Sequence, residues 1–270
     1  MSTPRRRLDV VLVERGLARS RGEARECIAA GRVTIDGAPA TKPATLVARG
    51  ADLVVAEPGP RWASRGGEKL AGGLERLGLD VAGRHALDVG AAHGGFTDVL
   101  LSRGVVGVVA VDVGYGQLAW RLATDPRVVV LDRTNARHLR AEALPWRPDL
   151  VVGDLSFISL TLVLPALARV AADAVDLVLL CKPQFEAGRG AVGRDGVVRD
   201  PAEWERAMRR VVDAATEEGL GLVGAVPSSL RGPAGNVEFV LHLARGRGGT
   251  TAEDPAALTA AAVDEARAAG

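Results

Sequence analysis

The 270-residue chain reads as an α/β protein: a mostly parallel seven-stranded sheet with helices on both faces, preceded by a small α+β module. Three observations predict this. From residue 86 onward, short apolar runs alternate with helical patterns, as in doubly wound sheets. The runs, such as Leu150-Val151-Val152 and Leu177-Val178-Leu179-Leu180-Cys181, lack a polar side, as strands covered on both faces do. One run, Ala86 to Val89, ends in Gly90-Ala91-Ala92-His93-Gly94-Gly95, and a helical pattern starts at Phe96. Glycines permit a tight turn and close approach of a ligand, and the N–H groups opening the next helix favour polar or anionic groups.

Composition agrees. At 47% hydrophobic and 3% aromatic, the core is built of Val, Leu and Ala. The net charge is only +1, but residues 1–70 hold 13 Lys and Arg against 8 Asp and Glu. A basic front end suits an anionic partner, although a solvated surface explains the same charge. Cys27 and Cys181 show neither metal spacing nor a disulfide framework and read as small buried side chains. No metal is expected. Met1 to Arg7 lacks the apolar core of a leader, and no run approaches a membrane span. A cytoplasmic monomer is expected.

Residues 1–58 form the first unit. Leu8, Val11 and Leu12 share a helical face that ends at Gly16. Ser20 caps a second helix through Ile28, closed by Gly31. Arg21 and Arg25 lie four residues apart on that helix. Val33-Thr34-Ile35 runs into Asp36-Gly37, a hairpin signal. Lys42-Pro43, Val47 and Leu53 to Val55 suggest further short strands. The turn-rich break Glu57-Pro58-Gly59-Pro60-Arg61 marks the boundary, with 59–64 as linker and Trp62 packing it down. Ser64 caps a helix to about Leu77, which presents Lys69.

The second unit spans 65–245. Strands are expected at 86–90, 106–112, 127–131, 149–153, 176–181, 220–226 and 236–243, and helices near 95–103, 116–123, 158–171 and 201–217. The last strand alternates Val237, Phe239, Leu241 and Leu243 with Glu238, Val240 and His242, and reads as half exposed, antiparallel and near an edge. Residues 246–270 read as a flexible tail, although the Ala-rich run 256–269 is compatible with a short helix.

The glycine turn does not match the dinucleotide fingerprint G-x-G-x-x-G. S-adenosylmethionine is the alternative. Asp88 at the first strand end, Asp112 at the second (for ribose hydroxyls) and Asp132 at the third (for an adenine amino group) support it. With Gly90, Ala91, Gly94, Gly95 and Phe96 they form the candidate cofactor set. Lys69, Asp154, Lys182 and Glu238 are charged residues that a buried sheet tolerates only in pairs. They suggest a site that deprotonates or polarises a hydroxyl for methyl transfer.

The first unit, through Arg7-Leu8-Asp9, Ser20-Arg21, Gly31-x-Val33 and Lys42-Pro43, resembles the S4-like RNA-binding domain. The second, through Lys69, Asp154, Lys182 and Glu238, resembles the FtsJ/RrmJ-type ribose 2′-O-methyltransferases, a Rossmann-like class I methyltransferase fold with a Lys-Asp-Lys-Glu tetrad. Ser64-Arg65-Gly66-Gly67-Glu68-Lys69, Asp88 to Thr97, Gly153 to Ser159, Lys182-Pro183-Gln184-Phe185-Glu186 and Gly235-Asn236-Val237-Glu238 together resemble the TlyA family, formerly called haemolysins, over roughly residues 5–243. The resemblance implies 2′-O-methylation of cytidine in 16S and/or 23S ribosomal RNA, with capreomycin and viomycin sensitivity as a consequence. It implies that Arg6, Arg7, Arg21, Arg25, Lys42 and Arg65 meet RNA. The family's linker reads Arg-Ala-Trp-Val, whereas this chain has Pro60-Arg61-Trp62-Ala63, with the Arg displaced by one. A non-catalytic RNA-binding assembly factor is the alternative function.

Overall fold

The computed structural model describes residues 5–56, 61–188, 190–246 and 254–269. Glu57 to Pro60, the expected break, lies outside them, as does 247–253 of the expected tail. The chain divides into two compact units, Met1–Arg61 and Trp62–Gly270.

In the first unit β1 (Arg6–Arg7) leads into α1 (Leu8–Glu14) and α2 (Arg21–Ala29), followed by β2 (Val33–Ile35), β3 (Ala38–Pro39), β4 (Leu46–Val47) and β5 (Leu53–Val55). Ser20 caps α2 by accepting from the Glu23 N–H. Asp36 and Gly37 both take positive φ, 50° and 81°, and turn β2 into β3 as Asp-Gly hairpins do. Leu8, Leu12, Ala24, Ile28 and Val33 are essentially fully buried and form the unit's own core. Lys42 and Pro43 are not a strand; they form a turn in which Thr45 N–H donates to Lys42 O and Asp9 N–H donates to Pro43 O. A proline without an N–H cannot pair on both sides of a ladder.

The second unit opens with α3 (Gly66–Arg76), then β6 (His85–Val89), α4 (Gly95–Ser102), β7 (Gly107–Val111), α5 (Trp120–Ala123), β8 (Val128–Leu131), β9 (Leu150–Gly153), α6 (Leu164–Val170), β10 (Val175–Cys181), α7 (Pro183–Glu186), α8 (Pro201–Glu217), β11 (Gly221–Pro227), β12 (Phe239–Arg245) and α9 (Pro255–Ala268). The seven strands order as β11-β12-β10-β9-β6-β7-β8. Strands β6 to β10 pair in parallel, and β12 runs antiparallel to both neighbours. Alternate strand residues face two cores. Leu87, Val151, Leu177 and Leu179 pack with α6, α8 and α9. Ala86, Leu150, Val152, Val178 and Leu180 pack with α3, α4 and α5.

Four expectations need correction. The last strand is antiparallel and next to the edge strand β11, as expected, but it is not half exposed: β12 sits between β10 and β11, and Phe239 to Ala244 are all buried. Its alternate residues looked polar because His242 is there, but His242 bonds Asp176 at 2.7 Å inside the sheet. The expected loose tail contains α9, capped by Asp254; Ala262, Val263 and Ala266 join the core formed with α8. The expected helices 116–123 and 158–171 shorten, the first to α5 and the second to a 3-10 turn, Leu160–Leu162, followed by α6. Ser64 makes no side-chain cap on α3.

If α9 is part of the core, Val263→Asp should lower the unfolding free energy by about 3 kcal/mol, against no more than about 0.5 kcal/mol for the exposed control Ala257→Asp. Urea titration of both variants checks this, and equal effects would return 254–269 to the role of a loose tail.

Candidate active site

The strand order reverses between β6 and β9, so the chain leaves their carboxyl ends in opposite directions and opens a crevice, the usual ligand position in such sheets. A cavity of about 500 Å³ lies there. Its walls come from three strand ends: Gly90 and Ala92 after β6, Asp112 and Val113 after β7, and Asp154 to Ile158 after β9, closed by Gln117 and Thr134 to Ala136.

Gly90 has φ +81°, and a Cβ there would lie 2.9 Å from the Asp154 carbonyl oxygen; only glycine lets the β6 and β9 turns approach this closely. Gly94 and Gly95 serve packing instead. Gly94 opens α4 in the left-handed region at φ 91°, and its Cβ would lie 2.4 Å from Leu122. A Cβ on Gly95 would lie 2.3 Å from Ser64 Oγ, which is where the expected cap side chain goes. Ala91 and Phe96 are buried, and neither lines the cavity.

The three aspartates part ways. Asp112 is on the cavity wall; Oδ2 accepts from Ala92 N–H at 2.9 Å and Oδ1 from Gly114 N–H at 2.7 Å. Each oxygen keeps a second lone pair for a ligand. Asp132 is not on the wall; its Oδ2 accepts from Gly116 N–H at 2.9 Å and shapes the loop after β7. Asp88 lies inside β6, fully buried, and Oδ2 accepts from Thr97 Oγ1 at 2.7 Å. Its Oδ1 is buried with no hydrogen-bond partner among the described residues. Burial pushes the Asp88 carboxyl up to about 7; the Thr97 bonds oppose this, and the nearby Asp154 and Asp112 charges add to it.

The four charged residues meet as two pairs. Lys69, in the second turn of α3, puts Nζ 2.5 Å from Glu238 Oε2, and both are buried. Lys182 follows β10 directly and puts Nζ 2.6 Å from Asp154 Oδ1. This is ion-pair contact without hydrogen-bond alignment. Lys182 Nζ also donates to Ser156 Oγ at 2.9 Å. Register brings the pairs to one place. Cys181 pairs with Phe239, so Lys182 and Glu238, one step beyond, stand at the same end of adjacent strands. A Cβ on Gly66, at the start of α3, would lie 3.5 Å from Asp154 Oδ2, so α3 comes over the same strand ends. Glu238 Oε1 is buried and unpartnered among the described residues.

Sequence patterns did not single out Ser156, Phe157 or Asn135 individually. Phe157, 91% exposed, sits at φ 63° with its ring 5.3 Å from that of Phe185, and Lys182 Nζ is 5.9 Å from the Phe185 ring. A positive φ is unusual for a bulky residue, and nothing in a one-dimensional pattern reports it.

In the first unit Asp9 is completely buried, and the guanidinium groups of Arg7, Arg21 and Arg25 reach it at 3.0, 2.9 and 3.4 Å. The bonds from Arg7 first and then Arg21 hold its carboxyl well below the usual carboxylate range, against the opposing effect of burial. The three arginines remain half exposed. Arg6 pairs with Glu14 at 2.6 Å, and Lys42 is exposed. In the second unit, exposed Arg65 donates to the Arg231 carbonyl at 2.5 Å.

Residues 62–245 match the family model described as FtsJ-like methyltransferase, and residues 6–53 match the S4 domain. A Mycobacterium tuberculosis protein named 16S/23S rRNA (cytidine-2′-O)-methyltransferase TlyA is 57% identical over 88% of this chain and 90% of its own length. Hemolysin A of Brachyspira hyodysenteriae is 35% identical over 87% of this chain and 98% of its own. A solved hemolysin-named structure from Streptococcus thermophilus superposes with TM-score 0.73 at 36% identity, covering 99% of this chain and 97% of that one.

Because the raised Asp88 carboxyl favours the protonated folded state, the stability it supports is full below about pH 4 and is lost as pH rises through about 7. Asp88→Asn stays neutral, so its stability relative to wild type should rise by about 2 kcal/mol between pH 5 and pH 8. Thermal midpoints across that range test it; a difference that does not change with pH would show that Asp88 is not held protonated.

Proposed function

This chain belongs to the TlyA family of FtsJ-like methyltransferases that carry an S4 domain, and on that premise we propose that it transfers the methyl group of S-adenosylmethionine to the ribose 2′-oxygen of a cytidine in ribosomal RNA. The observation that carries the reading is the pairing of Lys182 with Asp154 on the wall of the switch-point cavity, beside the buried Lys69–Glu238 pair.

The residues present suit the cofactor. About 500 Å³ is within the usual range for a small-molecule site, ~300–1,000 Å³. Gly90 lines the cavity and lets the β9 turn approach, Asp112 offers free lone pairs to ribose hydroxyls, and Asn135 and Leu155 stand on the wall. S-adenosylmethionine, when bound, supplies a methyl carbon made electrophilic by its sulfonium.

The chain's own task is to present an oxygen nucleophile. Lys182 Nζ donates to Ser156 and lies in ion-pair contact with Asp154. As the neutral amine it takes the 2′-hydroxyl proton through its lone pair as the O–C bond forms. Ser156 and Asp154 hold Nζ in place for this, and Lys69 with Glu238 forms a second, charge-balanced pair. Assigning the proton to one member of a coupled set is a choice of microstate. Exposed Phe157, set against the half-buried Phe185 beside Lys182, offers a stacking face for an unstacked base, the usual means of holding single nucleotides of RNA. In the S4 unit, Arg7, Arg21 and Arg25 around one buried carboxylate form a net positive patch suited to phosphates, with Arg6 and Lys42 extending the basic set.

Incubation with ribosomal subunits and methyl-labelled S-adenosylmethionine, followed by mapping of 2′-O-methyl groups, tests the function; RNA binding without turnover in the intact protein would favour an assembly factor instead. Lys182→Ala should lower kcat by about 10²–10⁴-fold, the usual worth of a positioned acid or base, with RNA affinity unchanged; retained turnover would remove Lys182 from this role. Replacing Arg21 and Arg25 with Ala should weaken RNA binding and reduce the log–log salt slope by about 0.7–0.9 for each phosphate no longer neutralised. An unchanged slope, read by filter binding across salt, would move the RNA-binding surface elsewhere.

A further inference from the structure

The loop from Asp154 to Ser159 forms one wall of the cavity and carries both Ser156, on Lys182, and Phe157, at the exposed apex. Its near end is held by Lys182 through Asp154 and Ser156. Its apex adopts a left-handed φ of 63°, a conformation that persists in a bulky residue only when the surroundings impose it.

The far end is held by a carboxylate. Glu186, in the last position of α7, is 7% exposed. Its Oε2 accepts from Ser159 Oγ at 2.5 Å and its Oε1 from Leu160 N–H at 2.7 Å. Ser159 in turn caps the 3-10 turn that follows, accepting from Thr161 N–H at 3.1 Å. Glu186 is itself anchored, its backbone carbonyl accepting from Arg210 of α8 at 2.9 Å. A buried carboxylate without a direct side-chain ion pair is costly. Here burial raises its carboxyl above the usual range, while the Ser159 and Leu160 donors pull it back. The group therefore fits the loop's two donors and has no part in the pairs that surround Lys182. Lys182 and Glu186 belong to one short segment, 182–186, so that segment holds the loop at both ends, with the Phe157–Phe185 contact between them.

We infer that Glu186 is a positioning residue: its two hydrogen bonds to Ser159 and Leu160 fix the far end of the Asp154–Ser159 loop, which keeps Ser156 on Lys182 and Phe157 against Phe185. The inference rests on the reading of Lys182 as the group that meets the ribose hydroxyl. Glu186 touches neither the cavity nor a reacting atom; it acts through the loop's geometry, where a misplacement of about 1 Å can cost on the order of 100-fold in rate.

The test compares wild type, Glu186→Ala, Glu186→Gln and Ser159→Ala in the full chain. Hydrogen exchange without cofactor should show opening confined to residues 155–162 in Glu186→Ala, with the same pattern, weaker, in Ser159→Ala. Glu186→Gln retains an acceptor for Leu160 N–H and should restore most of the protection. Methyl transfer should follow the same order, with kcat falling at least about tenfold in Glu186→Ala while the KM for RNA stays near wild type. If Glu186→Ala fails to fold, the Gln and Ser159 variants still order the effect. Exchange that rises uniformly over the chain, or a kcat within about twofold of wild type despite loop opening, overturns the inference. If wild type itself transfers no methyl group, the functional reading fails, whereas the exchange pattern still reports whether Glu186 holds the loop.

Discussion

Burying an unpaired ion costs several kcal/mol, and losing one partner of a buried pair about 3–5 kcal/mol. At the carboxyl edge of this sheet Lys69, Lys182 and Glu238 are each less than a tenth exposed, so each needs its counter-charge nearby. The rest of the second unit serves that requirement. Helix α3 must cross over the strand ends to bring Lys69 to Glu238. Strand β12 must run antiparallel, so that Glu238 enters at the end of the sheet where Lys182 leaves it. The β9 turn must bring Asp154 back to Lys182. An isolated salt bridge says little about stability, but two pairs sharing one strand edge specify how these elements assemble.

The cavity arises beside these pairs because β6 and β9 send their chains apart. Its wall is shared with the lysine pair: Ser156 lines the cavity and also accepts from Lys182. A single loop therefore links the cavity to that pair. The glycine turn contributes differently from its usual image as a ligand cradle. Gly90 admits the close approach of the β9 turn, whereas Gly94 and Gly95 admit Leu122 and Ser64. The turn is shaped as much by helix and linker packing as by a ligand.

The S4 unit applies the same electrostatics in the opposite sense. There one buried carboxylate, Asp9, gathers three arginines and leaves them half exposed. In the second unit the charges are balanced and withdrawn from water; in the first they remain in excess and face it. A balanced buried set suits chemistry on a neutral hydroxyl, and an exposed excess suits a phosphate backbone.

The order of the elements, the parallel character of the sheet and the identity of the charged residues were legible in the chain itself. Each follows from local rules: apolar runs of strand length, caps such as Ser20, and Asp-Gly at a hairpin. Lys69, Asp154, Lys182 and Glu238 stood out because charges placed against a buried sheet are improbable without a partner or a role. The contact of Lys182 with Asp154 was not legible, nor the buried place of β12, the packing of α9, or the separation of Asp88 and Asp132 from the cavity. His242 made β12 look half exposed until Asp176, sixty-six residues away, supplied its partner. The alanines of α9 carry too weak a pattern to announce a buried face. Sequence spacing and periodicity determine what a segment can become, because those forces act within a few residues. Which charge meets which, and which face is covered, depends on register and on crossings between segments far apart in the chain, and only the tertiary structure decides them.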